Sequence, residues 1–474
     1  MRISIININL MPADAVGHCI DAQVTFFQKR GDQVRVYVST PPEYISQSLK
    51  QVTSTENPSG LTVRDIHFGS SDLYIYHYPV YYPLLESMGS LRRGAVLFYY
   101  HNVTPVEYAR DEDTRRFLLN SKDKVPYFAN LSDLVVTPSP YNRDTLIRDH
   151  GFPAEKIRVL PNFVSLRDFY SGPKPIELLK KHDIWERDIL LFTGRFAANK
   201  ELPQLVRALA IIKKSIDAVV LILVGDDNSN IDLLANRETV EDLVNDSGLQ
   251  NNIIFAGVVE EIEDYFRLAD IYVTASNHEG FGVPLIEAMA TGTPVVASNI
   301  PAHTWVLNGC GMLFDNDKPE QAAESVLTLL RDKMAYGKLA QSGCERARRF
   351  SLDVYYSQLH SLVSEVTKTV PVRTSLENGD EAESKPTTQG QARPASDADI
   401  SDAIDVLRPM ASLVDPNYTM TSNIPIFGRL ISGFRWLVSK QLKIGYVDHT
   451  LRRQENFNNR LIDLLEQSLL KKDE

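Results

Sequence analysis

Cysteine is scarce. Cys19, Cys310 and Cys344 are the only three in 474 residues. Their odd number and wide spacing argue against a disulfide framework and match no zinc-ligand pattern, so a reducing, cytoplasmic setting is the simplest expectation. No run of eighteen consecutive apolar residues occurs, and no transmembrane helix is expected. The opening "MRISIININLMP" is apolar but short. Without a charged start, a long apolar run and a small-residue cleavage site, it reads as a buried strand and not as a signal peptide. An excess of positive charge is missing too: the formal net charge is −11. That argues against general nucleic-acid affinity, although a local basic patch stays open. The chain has no Gly-x-Gly-x-x-Gly dinucleotide fingerprint, no Gly-x-Ser-x-Gly elbow and no His-Glu-x-x-His zinc helix. Asp111 and Asp113 spell Asp-x-Asp, but in a charged run that reads as a solvated face.

What is present is a repeated α/β plan. The segments "RISIINI", "QVRVYV", "DLYIYHY", "AVLFYYH" and "DLVVTPS" are short apolar runs alternating with amphipathic stretches such as "GHCIDAQVTFFQKRG". Such runs imply parallel strands covered on both faces. The plan recurs in "DILLFTGR", "AVVLILVGD", "NIIFAGV", "DIYVTAS" and "PVVAS", with "ELPQLVRALAIIKKS" and "VPLIEAMATG" as intervening helices. Two doubly wound domains are therefore expected, at 1–170 and 171–350, followed by a helix over 351–369. Residues 370–400 hold no aromatic residue and have linker composition. Residues 401–474 turn apolar and periodic again, and a helical extension is expected there.

The segment "NHEGFGVPLIEAMATGTPVVAS", residues 277–298, places Glu279 just past a predicted strand and Glu287 in the first turn of a predicted helix. Gly280 and Gly282 allow a tight turn with exposed amides, and Pro284 suits a helix start. Carboxylates at a strand end can accept hydrogen bonds from sugar hydroxyls. Taken singly, Glu287 can equally complement the helix dipole and Glu279 can simply be solvated. In "FTGRFAANKELPQLVRAL", Arg195 and Lys200 stand five residues apart across a loop, where they can meet one diphosphate or remain two solvated cations. Gly17 lies where the first strand leads into the first helix, an arrangement that favours a bound anion. His101 and Asn102 follow another strand. A histidine there can donate to a sugar hydroxyl or serve as a packed or capping residue.

The 277–298 segment resembles the paired-glutamate signature of retaining glycosyltransferases of the GT-B fold, in the family-four group, and the likeness extends over roughly residues 1–365. The resemblance implies that Glu287 holds the ribose of a nucleotide-diphosphate sugar such as GDP-mannose or UDP-glucose. It places Glu279 by the transferred hexosyl unit, with amides near Gly280, Phe281, Gly282 and Val283 on its hydroxyls. Gly-Arg…Lys matches the family's diphosphate-binding pattern, so Arg195 and Lys200 take that role. His-Asn matches a sugar-contacting element, which assigns His101. Gly17 departs from the family's commoner double glycine. Asn142 and Arg143 are given a supporting place. The resemblance further implies retained anomeric configuration, no cofactor beyond the co-substrate, no obligate metal, and a glycan, lipid-linked or other hydroxyl acceptor, as in polysaccharide biosynthesis. Two alternatives remain at this level: a nucleotide-sugar epimerase of the same architecture, for which no acid–base group stands out, and a non-catalytic sugar-nucleotide-binding scaffold. The basic, aromatic stretch 424–444 contains Phe427, Phe434, Arg429, Arg435 and Lys440 and suits a membrane surface, a partner helix or the protein's own body. Residues 451–465 offer a leucine seam for self-association or docking.

Overall fold

The computed structural model describes residues 1–10, 15–40, 46–56, 65–109, 111–225 and 237–368. The expected linker and helical extension lie outside the described residues.

Two parallel sheets carry the chain. The first contains β1 (Arg2–Asn7), β2 (Gln33–Val38), β3 (Thr53–Thr55), β4 (Leu73–Tyr78), β5 (Ala95–Tyr100), β6 (Leu134–Thr137) and β7 (Ile157–Val159). They lie in the order β3-β2-β1-β4-β5-β6-β7. The second contains β8 (Asp188–Thr193), β9 (Val219–Val224), β10 (Ile253–Gly257), β11 (Ile271–Thr274), β12 (Val295–Ser298) and β13 (Met312–Phe314), in the order β10-β9-β8-β11-β12-β13. Every residue of β4, β5 and β9 is buried, as strands covered by helices on both faces require. In each sheet the strand order reverses beside its first strand, between β1 and β4 and between β8 and β11. At such switch points the loops diverge and leave a crevice beyond the carboxyl ends of the strands.

The last described helix, Leu352–Thr367, is capped by Ser351, whose hydroxyl accepts from the Val354 amide. It does not pack on the second sheet, which precedes it in the chain. Tyr355, Leu359 and Val363 join Ile3, Ile5 and Val24 in the core on one face of the first sheet. Among the described residues the chain thus passes between the two lobes twice. The passes touch: the Val164 amide donates to the Phe350 carbonyl at 2.8 Å, and the Leu352 amide donates to the Val164 carbonyl at 3.2 Å. Among the described residues, no helix is long and apolar enough to cross a membrane.

Candidate functional site

Adjacent strands of the second sheet deliver the charged groups. Arg195 follows β8 and Glu279 follows β11, and these two strands pair at the switch point. Arg195 is exposed, and its side chain makes no hydrogen bond or ion pair with the described residues. Lys200 closes the short turn Ala198–Lys200, and its stem passes over Gly194, with Cε 3.8 Å from where a Cβ there would stand. Its ammonium donates to Glu279 Oε1 at 2.5 Å, and the two side chains are 19% and 18% exposed. Burial pushes the Glu279 carboxyl up. The Lys200 ammonium, the neighbouring His303 and hydrogen bonds from Lys200 and Ser276 outweigh it and hold the carboxyl below its ordinary value.

Residues that carry no charge lock the two loops together. The Asn277 amide donates to the Asn199 carbonyl, the Asn199 side chain donates to the His278 carbonyl, and the Asn277 side chain donates to Glu201. None of these asparagines was singled out in the sequence. Their only signal is the preference of Asn for turns, where its amide bonds nearby backbone.

The corner after β11 is built on two glycines for different reasons. Gly282 caps the helix Val283–Thr291 with φ 96°, in the left-handed region that disfavours side chains. Gly280 makes room for the other lobe, since a Cβ there would stand 2.8 Å from the His101 carbonyl oxygen and 3.3 Å from Asn142 Nδ2. The Phe281 side chain is buried against Trp305 and Phe350, so only its backbone can reach a ligand. Glu287 is the fifth residue of the helix, in its second turn. The expectation of a first-turn position is corrected: the helix begins at Val283 with Pro284 second, which moves Glu287 too far in to complement the helix N-terminus. Its carboxyl is raised to about 8, by burial first and by the Glu263 carboxylate second. Burial, then the fields of Glu279 and Glu287 against a hydrogen bond to Thr193, keep the Tyr272 phenol well above its ordinary range.

The first lobe meets this corner with His101, Asn102, Ser139 and Asn142. Ser139 caps the helix Pro140–His150 by accepting from the Asn142 amide, and its hydroxyl donates to the Gly280 carbonyl at 2.8 Å. Asn102 has φ 75°, unusual outside glycine. Its side chain is held between the Tyr100 hydroxyl and Asn142. His278, from the second lobe, has Tyr108 and Tyr141 of the first as ring neighbours. Burial lowers the His101 imidazole to about 3. Gly17 sits buried at the third position of the helix Ala15–Lys29, within the first turn and not in the preceding loop. Arg143 does not join the site and pairs instead with its neighbour Asp144. Asp111 caps the helix Glu112–Leu131 through the Thr114 amide, while Asp113 is 88% exposed on its surface. Among the described residues, no group of three or more His, Cys, Asp or Glu side chains could hold a metal ion.

Two Rossmann-like lobes whose loops meet beyond the carboxyl ends of their parallel strands define the GT-B class. Residues 16–168 match the family model described as Glycosyltransferase Family 4, and residues 187–332 match Glycosyl transferases group 1. The two matches together take in more than half of the chain, and the chain belongs to this family of glycosyltransferases. It is 28% identical over 287 residues to mannosylfructose-phosphate synthase of Agrobacterium fabrum, covering 58% of this chain and 62% of that protein. It is 28% identical over 214 residues to the GDP-mannose-dependent alpha-(1-6)-phosphatidylinositol monomannoside mannosyltransferase of Mycobacterium tuberculosis, covering 43% and 54%. The matched stretches thus span less than two thirds of these relatives' lengths. Anabaena HepE, solved in complex with UDP-glucose, shares the fold with a TM-score of 0.62 at 18% identity, covering 77% of this chain and 99% of that one.

Proposed function

We propose that the protein is a retaining glycosyltransferase that moves a hexosyl unit from a nucleoside-diphosphate sugar to the hydroxyl of a glycan, a lipid-linked glycan or another acceptor. The observation that carries this reading is the Lys200–Glu279 ion pair at the switch point, where Arg195 follows one of the two paired strands and Glu287 lies in the helix that begins just after Glu279. In this reading Glu287 accepts from the ribose hydroxyls and Glu279 from the transferred sugar. Arg195 and Lys200 take the diphosphate, with the helix that begins near Gly17 facing it from the first lobe. As the bond from the anomeric carbon to the phosphate oxygen breaks, charge grows on that oxygen and the two cations lower its energy. The acceptor oxygen attacks the same face, and its proton passes to the departing phosphate. His101 contacts the hexosyl hydroxyls. The donor requires no resident cofactor, and the two side-chain cations fill the place a metal has in other transferases. One relative is a GDP-mannose-dependent enzyme and a structural neighbour was solved with UDP-glucose, which supports a nucleotide sugar without choosing the base. The same reading places the protein in the cytoplasm, with residues 424–474 engaging a membrane surface or a second copy.

The direct test is a thermal-shift screen of UDP, GDP and their sugars, followed by donor hydrolysis and transfer assays with the best binder. A rise in melting temperature with one nucleoside diphosphate, saturating with concentration, is expected. The absence of a shift with every nucleotide would remove the reading.

Glu287 supplies a second test. Its folded value near 8 stands above the ordinary 4.5, so between those limits the folded chain keeps a proton that the unfolded chain has lost. The stability from this residue is complete below the ordinary 4.5 and is lost progressively as pH rises from there to about 8. Ribose hydroxyls are donors and favour the ionised carboxyl, so nucleotide binding at pH 7 should release a proton. Calorimetry in two buffers of different ionisation enthalpy should show that release in the wild type and not in Glu287→Gln. Equal release in both proteins would dissociate Glu287 from the nucleotide.

A further inference from the structure

His101 is the outermost member of a chain of side chains that runs into the core of the first lobe. His77 projects from β4, and its register partner on β5 is Tyr99, two residues before His101. The His77 ring is fully buried and stacks on both neighbours, with centroids 5.2 Å from Tyr99 and 5.0 Å from His101. Its Nδ1 lies 2.7 Å from His101 Nε2, and its Nε2 lies 3.0 Å from Gln23 Oε1. Gln23, itself 1% exposed, donates through Nε2 to the Tyr355 hydroxyl at 3.1 Å and to Cys19 Sγ at 3.4 Å.

The hydrogen-bond roles follow from this order. The Gln23 amide nitrogen is committed to Tyr355 and Cys19, so the amide oxygen faces His77 and can only accept. His77 Nε2 therefore carries the proton. Burial, with His101 as a second cause, keeps the His77 ring neutral, and a neutral ring has one proton, so Nδ1 is bare. His101 Nε2 must then donate to it. Nδ1 of His101 has no hydrogen-bond partner among the described residues, and the residue is half-buried just past the carboxyl end of β5.

We infer that Gln23 and His77 are positioning residues that fix His101 as its Nε2–H tautomer, so that a bare Nδ1 faces the cleft and accepts a hydrogen bond from a hydroxyl of the donor's hexosyl group. This rests on the glycosyltransferase reading for the identity of the ligand, not for the tautomer. It gives His101 a definite sense of recognition. Sugar hydroxyls at that point are read as donors, and a donor sugar lacking the hydroxyl leaves Nδ1 unpaired. Tyr355 belongs to the helix that returns from the second lobe, so the far end of the relay is held by the segment that joins the lobes.

Three variants test the inference, with ring nitrogen shifts of His101 read by long-range proton–nitrogen NMR at neutral pH. In the wild type the spectrum is expected to show protonated Nε2 and bare Nδ1. His77→Phe keeps the stacked ring but removes the acceptor, and His101 is expected to become a mixture of tautomers. Affinity for the preferred nucleotide sugar should fall about tenfold, the worth of one hydrogen bond. Affinity for the parent nucleoside diphosphate should not change, because that ligand does not reach His101. His77→Asn places Oδ1 close to the position of the lost Nδ1 and should restore both the tautomer and the sugar affinity. Gln23→Met removes the inner acceptor at nearly constant volume and should act in the direction of His77→Phe. A loss of packing alone would lower the melting temperature without separating the two ligands or responding to asparagine. An Nδ1–H tautomer of His101 in the wild type overturns the inference, as does wild-type sugar affinity in His77→Phe. If the wild type binds no nucleotide at all, the functional reading fails, and the ring spectrum still decides the relay.

Discussion

Arg195→Ala is expected to lower the rate of sugar transfer by about a hundredfold or more, with the melting temperature within about a degree of the wild type. The rate effect follows from the proposed role of the guanidinium at the end of β8, which is to meet the diphosphate as charge builds on the leaving oxygen. Removing one such donor commonly costs about 3 kcal/mol of transition-state stabilisation. The stability effect is small because the Arg195 side chain is exposed and bonds no described residue, so truncation strands no partner. Lys200→Ala is a less clean experiment. It leaves the Glu279 carboxylate, 18% exposed, without the ammonium that holds its ionised form, and some loss of stability will accompany the loss of rate. A turnover number in Arg195→Ala close to wild type, with a verified donor, would reject the diphosphate role.

The second large effect is expected from a single methyl group. Gly280→Ala places a Cβ 2.8 Å from the His101 carbonyl oxygen, closer than such contacts occur. The backbone at Gly280 lies outside the left-handed region, so alanine brings no conformational strain of its own, and the conflict is entirely with the opposing lobe. The lobes are expected to relieve it by moving apart, which lengthens the 2.8 Å bond from Ser139 to the Gly280 carbonyl. Misplacement of reacting groups by about 1 Å can cost about a hundredfold in rate. Transfer should therefore fall by about that factor, while nucleoside diphosphate affinity stays within about threefold because Arg195, Lys200 and Glu287 are untouched. Ser139→Ala removes the same bond without the clash and should cost far less. Comparable losses in the two variants would mean that the hydrogen bond, not the spacing, matters.

The long strands were legible because burial on both faces forces unbroken apolar runs, as in "LYIYHY" and "VVLILV". The three-residue strands β3, β7 and β13 are too short for any period to register, and their burial is incomplete. The charged residues were visible as motifs, and the positions of Arg195 and Glu279 just past β8 and β11 followed from the apolar runs before them, whereas the turn of the helix that carries Glu287 did not. The contact of Lys200 with Glu279 was not foreseen, since seventy-nine residues of sequence separate them and no periodicity reports it. Nor was the stacking of His77 on His101, which depends on the β4–β5 register, a property of pairing and not of either strand alone. The destination of the helix Leu352–Thr367 was equally hidden: its apolar stripe shows that it packs, not on which lobe.

That destination has a consequence for the birth of the molecule. The first lobe is a discontinuous folding unit, since its core lacks Tyr355, Leu359 and Val363 until the polypeptide has been extended well beyond the second lobe. On the ribosome, the amino-terminal half cannot finish its own interior ahead of its neighbour. A fragment ending before the returning helix would leave part of that apolar sheet face exposed to solvent and lose the Tyr355 end of the histidine relay. The last described helix is thus a clasp that seals one half only after the other has been made.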